Sequence, residues 1–204
     1  WEAGPGMIDL GDLPGGEAAY AWRVRQFTTL DVTPRAVHDI GLAEVDRIRG
    51  EMEAVIAEVG FEGSFDAFLT FLRTDPQFVA ASPEALLREG AWIAMQMNAK
   101  LPQLFGRLPR LPYTVQPVPD FLAPTFTAGF YVEPPAGGRV PGVYWLNTYD
   151  LPSRPTWALE ALTFHEAVPG HHLQIALAQE LDHLPAFRRA LVLTAYEEGW
   201  GLYA

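Results

Sequence analysis

In the first third of the chain, apolar side chains recur at steps of three and four residues between Val45 and Val59, opposite a charged face. This spacing is typical of a helix with one apolar side and one solvated side. Thr33-Pro34 supplies an N-cap and a proline at the first helical position, and Gly60 supplies a stop. The pattern therefore predicts a long amphipathic helix.

Two further helices have the same kind of signal. The apolar side chains of residues 65–72 also repeat at three- and four-residue steps. Ser82-Pro83 then opens another helix, which we expect to run to about Lys100, before Pro102. Residues 1–100 are thus predicted to be helical.

The segment 101–155 differs from its neighbours because it holds eleven prolines, a density that forbids long helices. Two runs inside it have β-like composition, Thr125–Val132 and Val143–Asn147. They predict a hairpin or a pair of edge strands. The second run is a candidate for pairing with an extended substrate strand.

The last segment, 156–204, again has a helical pattern, with breaks at Pro169-Gly170 and near His183–Pro185. The three segments together predict a mainly α fold in a single domain, with a small β-hairpin element before the helix of the motif described below. The chain begins at Trp1 rather than Met and stops inside a helical pattern. We therefore expect a fragment of a longer protein.

Composition limits the classes of function. The chain has 14 basic and 25 acidic residues, and its net charge of -11 argues against nucleic acid or an anionic membrane surface as a partner. No apolar run approaches the roughly 18 residues that a membrane span needs. The chain has no cysteine, so any metal site would use histidine and carboxylate ligands. Localisation and oligomeric state stay open.

The residues with the clearest chemistry are His165-Glu166 and the pair His171-His172, separated by Pro169-Gly170. The usual zinc-protease motif is His-Glu-x-x-His, in which two imidazoles share one helix face and the Glu faces the metal-bound water. Here the second histidine comes six or seven positions after the first. Six positions rotate a helix by about 600°, and seven climb about 10.5 Å, so neither histidine fits a straight helix well.

Proline at position 169 offers a solution, because it cannot donate a hydrogen bond to the carbonyl of His165 and must kink or bulge the helix. A two-residue bulge after Val168 would bring His171 to the position of the second ligand. His171 is therefore the first choice as ligand and His172 the alternative.

A third ligand should be a carboxylate from a later helix, and Glu197 and Glu198 lie at a suitable distance along the chain. Adjacent helical positions differ by about 100°, so only one of them can face the site. Two neutral histidines and one carboxylate on a single Zn²⁺ ion would acidify a bound water. Glu166 would then act as the general base.

Residues 165–174 and 195–204, with the HExxPGHH pattern, resemble the bacterial domain-of-unknown-function family number 885. Members look like zinc peptidases related to the gluzincins, with a mainly helical, zincin-like fold, and they are much longer than this chain. The resemblance implies that His165 and His171 are metal ligands and Glu166 the base. It also implies that Glu198 is the third ligand and Glu197 its neighbour, with His172 as a supporting or substrate-facing residue.

A hydrolase of this kind needs a donor for the developing oxyanion. The candidates are Tyr131, Tyr144, Tyr149, Arg154 and Tyr196, of which Tyr149 is the first to test. The predicted function is zinc-dependent cleavage of amide bonds in a peptide or small amide substrate. The alternatives are a metallohydrolase acting on a non-peptide amide or ester, and a catalytically silent helical scaffold.

Overall fold

The computed structural model of the chain describes residues 10–135 and 137–204. The chain divides into two compact units. The first holds residues up to Phe65 with Leu193–Ala195, and the second holds Asp66–Val192 with Tyr196–Ala204. The single domain of residues 1–204 stays a prediction.

In the first unit, a short 3₁₀ turn precedes helices α1 (Gly16–Thr28) and α2 (Pro34–Glu58). The Thr33 side chain accepts a hydrogen bond from the backbone N–H of Ala36 and so caps α2, as predicted. Gly60 follows the end of the helix with a φ of 70°, a conformation that favours glycine.

The first two helices of the second unit are α3 (Phe65–Thr74) and α4 (Pro83–Leu104). Ser82 caps α4 by accepting from the N–H of Ala85. The prediction that α4 ends before Pro102 is wrong. Proline in the last turn removes one hydrogen bond, but the N–H of Phe105 still bonds to the Leu101 carbonyl and closes the helix.

A three-stranded sheet follows, formed by β1 (Tyr113–Pro117), β2 (Gly129–Val132) and β3 (Gly142–Leu146) in the order β1-β3-β2. The predicted antiparallel pair is present as β2 and β3, while β1 adds to β3 in parallel and was not predicted. The central position of β3 overturns its proposed role as a substrate-pairing strand. Both of its edges are already paired, whereas β1 and β2 each pair on one side only within the described ranges.

Four helices complete the second part of the chain: α5 (Leu159–Glu166), α6 (His171–Gln179), α7 (Ala186–Ala190) and α8 (Thr194–Tyr203). The breaks expected at Pro169-Gly170 and near His183–Pro185 are present.

The apolar core of the second unit consists of two clusters of buried side chains. Leu86 of α4 belongs to one, with Tyr144 and Leu146 of β3, and Met97 and Leu101 of α4 belong to the other. Helix α4 thus connects the two clusters. The fold is mainly helical with a small sheet, as predicted. Within the described ranges, no helix has the length and apolarity to cross a membrane.

Candidate metal centre

The chain between α5 and α6 leaves the helical path for four residues, from Ala167 to Gly170. The N–H of Gly170 bonds to the carbonyl of Phe164 at 2.9 Å, a step of six residues instead of the usual four. The N–H of His172 bonds to the carbonyl of Ala167 at 3.0 Å. Two extra residues are therefore accommodated, but by a break between two helices rather than by a bulge in one continuous helix.

Gly170 is required here by a close backbone approach. A Cβ at this position would overlap the carbonyl oxygens of Phe164 and His165. Only glycine lets α6 begin so close to the end of α5.

Apolar packing anchors the break on both sides. Ala167 and Val168 are fully buried, and each belongs to a different core cluster. In the second cluster, Val168 packs with Leu173 of α6. Burial of these side chains fixes the path of the chain, so the histidines on either side have defined positions.

His165 at the end of α5 and His171 at the start of α6 come together, with ring centroids 4.5 Å apart and an interplanar angle of 81°. The Glu198 carboxylate of α8 lies opposite both. Its Oε2 is 3.4 Å from Nε2 of His165 and 3.7 Å from Nε2 of His171. All three ligand atoms lie within 4.8 Å of one another.

These separations fit a single zinc ion. Ligand bonds of about 2.0–2.2 Å in a tetrahedral arrangement place the ligand atoms about 3.3–3.6 Å apart. The Glu198 oxygen meets that spacing with His165 and nearly meets it with His171, yet it makes no hydrogen bond to either ring. Burial and the neighbouring His165 lower the pKa of His171 against the opposing charge of Glu198, which favours the neutral imidazole that binds a metal.

Helix α8 is held against the break by two contacts. The indole N–H of Trp200 donates to the carbonyl of Pro169 at 2.8 Å. The Gln174 side chain donates to the carbonyl of Tyr196 at 3.4 Å. Because Trp200 is only two residues from Glu198, the first contact fixes the third ligand relative to the loop between the histidines.

Glu166 is 7% exposed and lies beside the cluster without joining it. Burial raises the pKa of its carboxyl group, and the negative charge of Glu198 raises it further, while His165 and a hydrogen bond from the Tyr131 backbone N–H oppose the rise. The chain thus places an unligated carboxylate of raised proton affinity next to three possible ligands.

His172, the alternative ligand, is not part of the cluster. Its Nδ1 lies 2.8 Å from the Tyr131 hydroxyl, and its ring packs 4.6 Å from the ring of Tyr113. Burial lowers its pKa to about 4, against a hydrogen bond to the Leu111 backbone. His172 is therefore a neutral structural side chain that joins α6 to the sheet.

Glu197, the other alternative, also lies outside the cluster, on the half-buried side of α8. Burial raises the pKa of its carboxyl group, and the negative charges of Glu133 and Glu198 add to the effect. The 100° rotation between adjacent helical positions separates the two glutamates.

The five candidates for oxyanion donor are dispersed. Tyr131 and Tyr144 are buried in the sheet, and the Tyr144 hydroxyl contacts Thr163 at 3.4 Å. Tyr149 is 52% exposed, and its backbone N–H donates to the Asn147 side chain. The remaining two are Arg154, whose guanidinium bonds to Ser153, and Tyr196, which is exposed. Among the described residues, no hydrogen bond joins Tyr149 to the three clustered side chains.

Gly201 is a residue of the site that sequence reasoning missed. A Cβ there would lie 2.8 Å from Cε1 and 2.9 Å from Nδ1 of the His165 ring, so only glycine lets α8 approach the imidazole this closely. Gly199, two residues earlier, has open space. Two glycines inside a ten-residue helix are unfavourable for helix formation and could have signalled a close approach.

Comparison with known proteins identifies a bacterial family. The family described as "Bacterial protein of unknown function (DUF885)" matches residues 3–204. A solved crystal structure, that of "the putative lipoprotein from Colwellia psychrerythraea", is similar with a TM-score of 0.89 and 33% sequence identity. The similarity covers 93% of this chain and 33% of that chain, so this chain spans one third of its length. No curated protein matches.

Proposed function

We propose that this chain, which belongs to the DUF885 family of bacterial proteins of unknown function, carries the metal centre of a zinc-dependent hydrolase that cleaves peptide bonds. The observation that supports this most is the convergence of His165, His171 and Glu198 within 4.8 Å, with Glu166 buried and unligated beside them. Three protein ligands and a separate carboxylate are what a hydrolytic zinc site requires.

Each side chain has a defined part in this proposal. His165 and His171 supply neutral nitrogen donors, and Glu198 supplies the anionic oxygen. When bound, zinc acts as a Lewis acid that lowers the pKa of water and polarises the scissile carbonyl. Glu166 accepts the proton of the attacking water and delivers it to the leaving amine, a role suited to a carboxyl group whose pKa is raised.

The test is the substitution Glu166→Gln, with Glu160→Gln as the control. Glu160 is an exposed carboxylate on the same helix, outside the cluster. We expect Glu166→Gln to keep its zinc and lose about 10²- to 10⁴-fold in kcat on a peptide library, the range for removing a general base. Glu160→Gln should keep both zinc and turnover.

Unchanged turnover in the Glu166→Gln variant would exclude this residue as the base. Zinc-dependent turnover of esters or small amides but not of peptides would favour the non-peptide hydrolase. A wild-type protein that binds zinc and hydrolyses none of these substrates would favour the catalytically silent scaffold.

A further inference from the structure

We infer that Tyr131 is a positioning residue that fixes the helix carrying the ligand His171 to the sheet. Its hydroxyl contacts Nδ1 of His172 at 2.8 Å, one residue beyond that ligand. This inference rests on the proposed zinc-dependent hydrolysis and names a residue on which its geometry depends.

The sheet offers a matching surface for His172. Tyr113 of β1 is paired with Gly142 of β3, and the side chain of Tyr131 lies on the same face of β2. The His172 ring packs against both tyrosines, with centroid distances of 4.6 Å to Tyr113 and 5.5 Å to Tyr131. The imidazole therefore lies between two aromatic rings.

Gly142 makes this arrangement sterically possible. A Cβ at that position would lie 2.8 Å from Cε2 and from Cζ of the Tyr131 ring. Real contacts of a Cβ essentially never come so close. The glycine of the central strand thus leaves the space in which the Tyr131 ring reaches His172.

A buried hydrogen bond fixes the orientation of His172. Nδ1 of its ring and the Tyr131 hydroxyl lie 2.8 Å apart, and both side chains are buried. The first turn of α6 therefore cannot rotate without breaking this bond.

This matters for the metal centre because α6 begins at His171 and the four residues before it are not helical. What holds the first turn of α6 therefore also sets the position of that ligand. Tyr131 thus sets the position of one proposed zinc ligand relative to the sheet without contacting the ion.

The experiment compares Tyr131→Phe with Tyr113→Phe in the wild-type chain. Both changes remove one hydroxyl from the same face of the sheet and keep the ring. The Tyr113 hydroxyl accepts from the Asn98 side chain at 2.8 Å instead of contacting His172. It is therefore a control for the general effect of losing a partly buried hydroxyl.

We expect Tyr131→Phe to weaken zinc binding about tenfold, at the lower end of the 10- to 100-fold range for groups that support metal ligands. It should lower kcat while KM stays within about twofold, because only the alignment of base and ligand changes. Tyr113→Phe should reduce thermal stability and leave zinc affinity and kcat near wild type.

A double-mutant cycle with His172→Phe gives a readout that a merely structural role would not move. If the hydroxyl acts through His172, adding Tyr131→Phe to His172→Phe should change zinc affinity by less than about twofold. Equal zinc affinity and kcat in Tyr131→Phe and wild type would overturn the inference, as would additive effects in the cycle. A wild-type chain that fails to bind zinc would instead overturn the proposed function, and this inference with it.

Discussion

The close approach of α8 to His165 gives a sharp test of the metal centre through the pair Gly201→Ala and Gly199→Ala. Both positions lie inside the same ten-residue helix, so alanine improves helix propensity equally, by about 1 kcal/mol. They differ in their surroundings. A Cβ at 201 meets the His165 ring at 2.8 Å, whereas a Cβ at 199 meets open space.

The expected loss follows from these distances. Ordinary carbon contacts are about 3.5 Å, so the imidazole would have to move by about 0.5 Å or more. Zinc–ligand distances tolerate only about 0.2 Å, and α8 cannot retreat freely because Trp200 is bonded to Pro169. We therefore expect Gly201→Ala to weaken zinc binding about 10- to 100-fold, or about 1.4–2.7 kcal/mol.

The assay is a competition titration with a zinc chelator, together with thermal unfolding in the absence of metal. Gly199→Ala should keep the wild-type zinc affinity and unfold about 2–4 °C higher, because about 1 kcal/mol is gained in a chain of this size. Equal zinc affinity in the two variants would refute the reasoning, since the contact between His165 and α8 would then have no effect on metal binding.

Three further predictions concern the loop between the histidines and its supports. Gly170→Ala should abolish zinc binding and lower stability by several kcal/mol in urea unfolding, because a Cβ would overlap two backbone carbonyls; a stability near wild type would contradict this. Trp200→Phe should lower the free energy of unfolding by about 1–3 kcal/mol, because it leaves the Pro169 carbonyl unpaired. The control Trp157→Phe loses an exposed hydrogen bond and should lower the free energy of unfolding by less in the same assay. Because burial lowers the pKa of His172 to about 4, the free energy of unfolding should fall by up to about 3 kcal/mol as the pH drops from 6.5 towards 4. His172→Phe should remove this pH dependence in urea unfolding measured across that range.

The approach of His171 to His165 could be anticipated because its determinants are local, whereas the choice of Glu198 over Glu197 followed from the family resemblance. Proline at 169 forbids a regular helix whatever the tertiary context, and a six-residue hydrogen-bond step follows from two inserted residues. The form of the interruption could not be anticipated. Whether the chain bulges or breaks depends on the burial of Ala167 and Val168 in two separate clusters, which is a property of the packed core.

The sheet was predicted only in part, because strand pairing is non-local. The antiparallel pair of β2 and β3 has a clear β-like composition, but β1 lies among prolines and pairs in parallel with a strand 29 residues further on. Its presence makes β3 central and leaves β1 and β2 as the edge strands. Pairing register also determines that the Tyr131 side chain faces His172, which spacing along the chain could not indicate.

The most direct test of the proposed metal centre is the zinc dissociation constant across two pairs of adjacent residues. His171→Ala and Glu198→Gln should each weaken binding at least about 100-fold, since four-ligand zinc sites of about 10–16 kcal/mol correspond to roughly 3 kcal/mol a ligand. The zinc dissociation constants of His172→Phe and Glu197→Gln should stay within about tenfold of the wild-type value, because these changes disturb only supporting groups. The reverse order within either pair would contradict the ligand set of His165, His171 and Glu198.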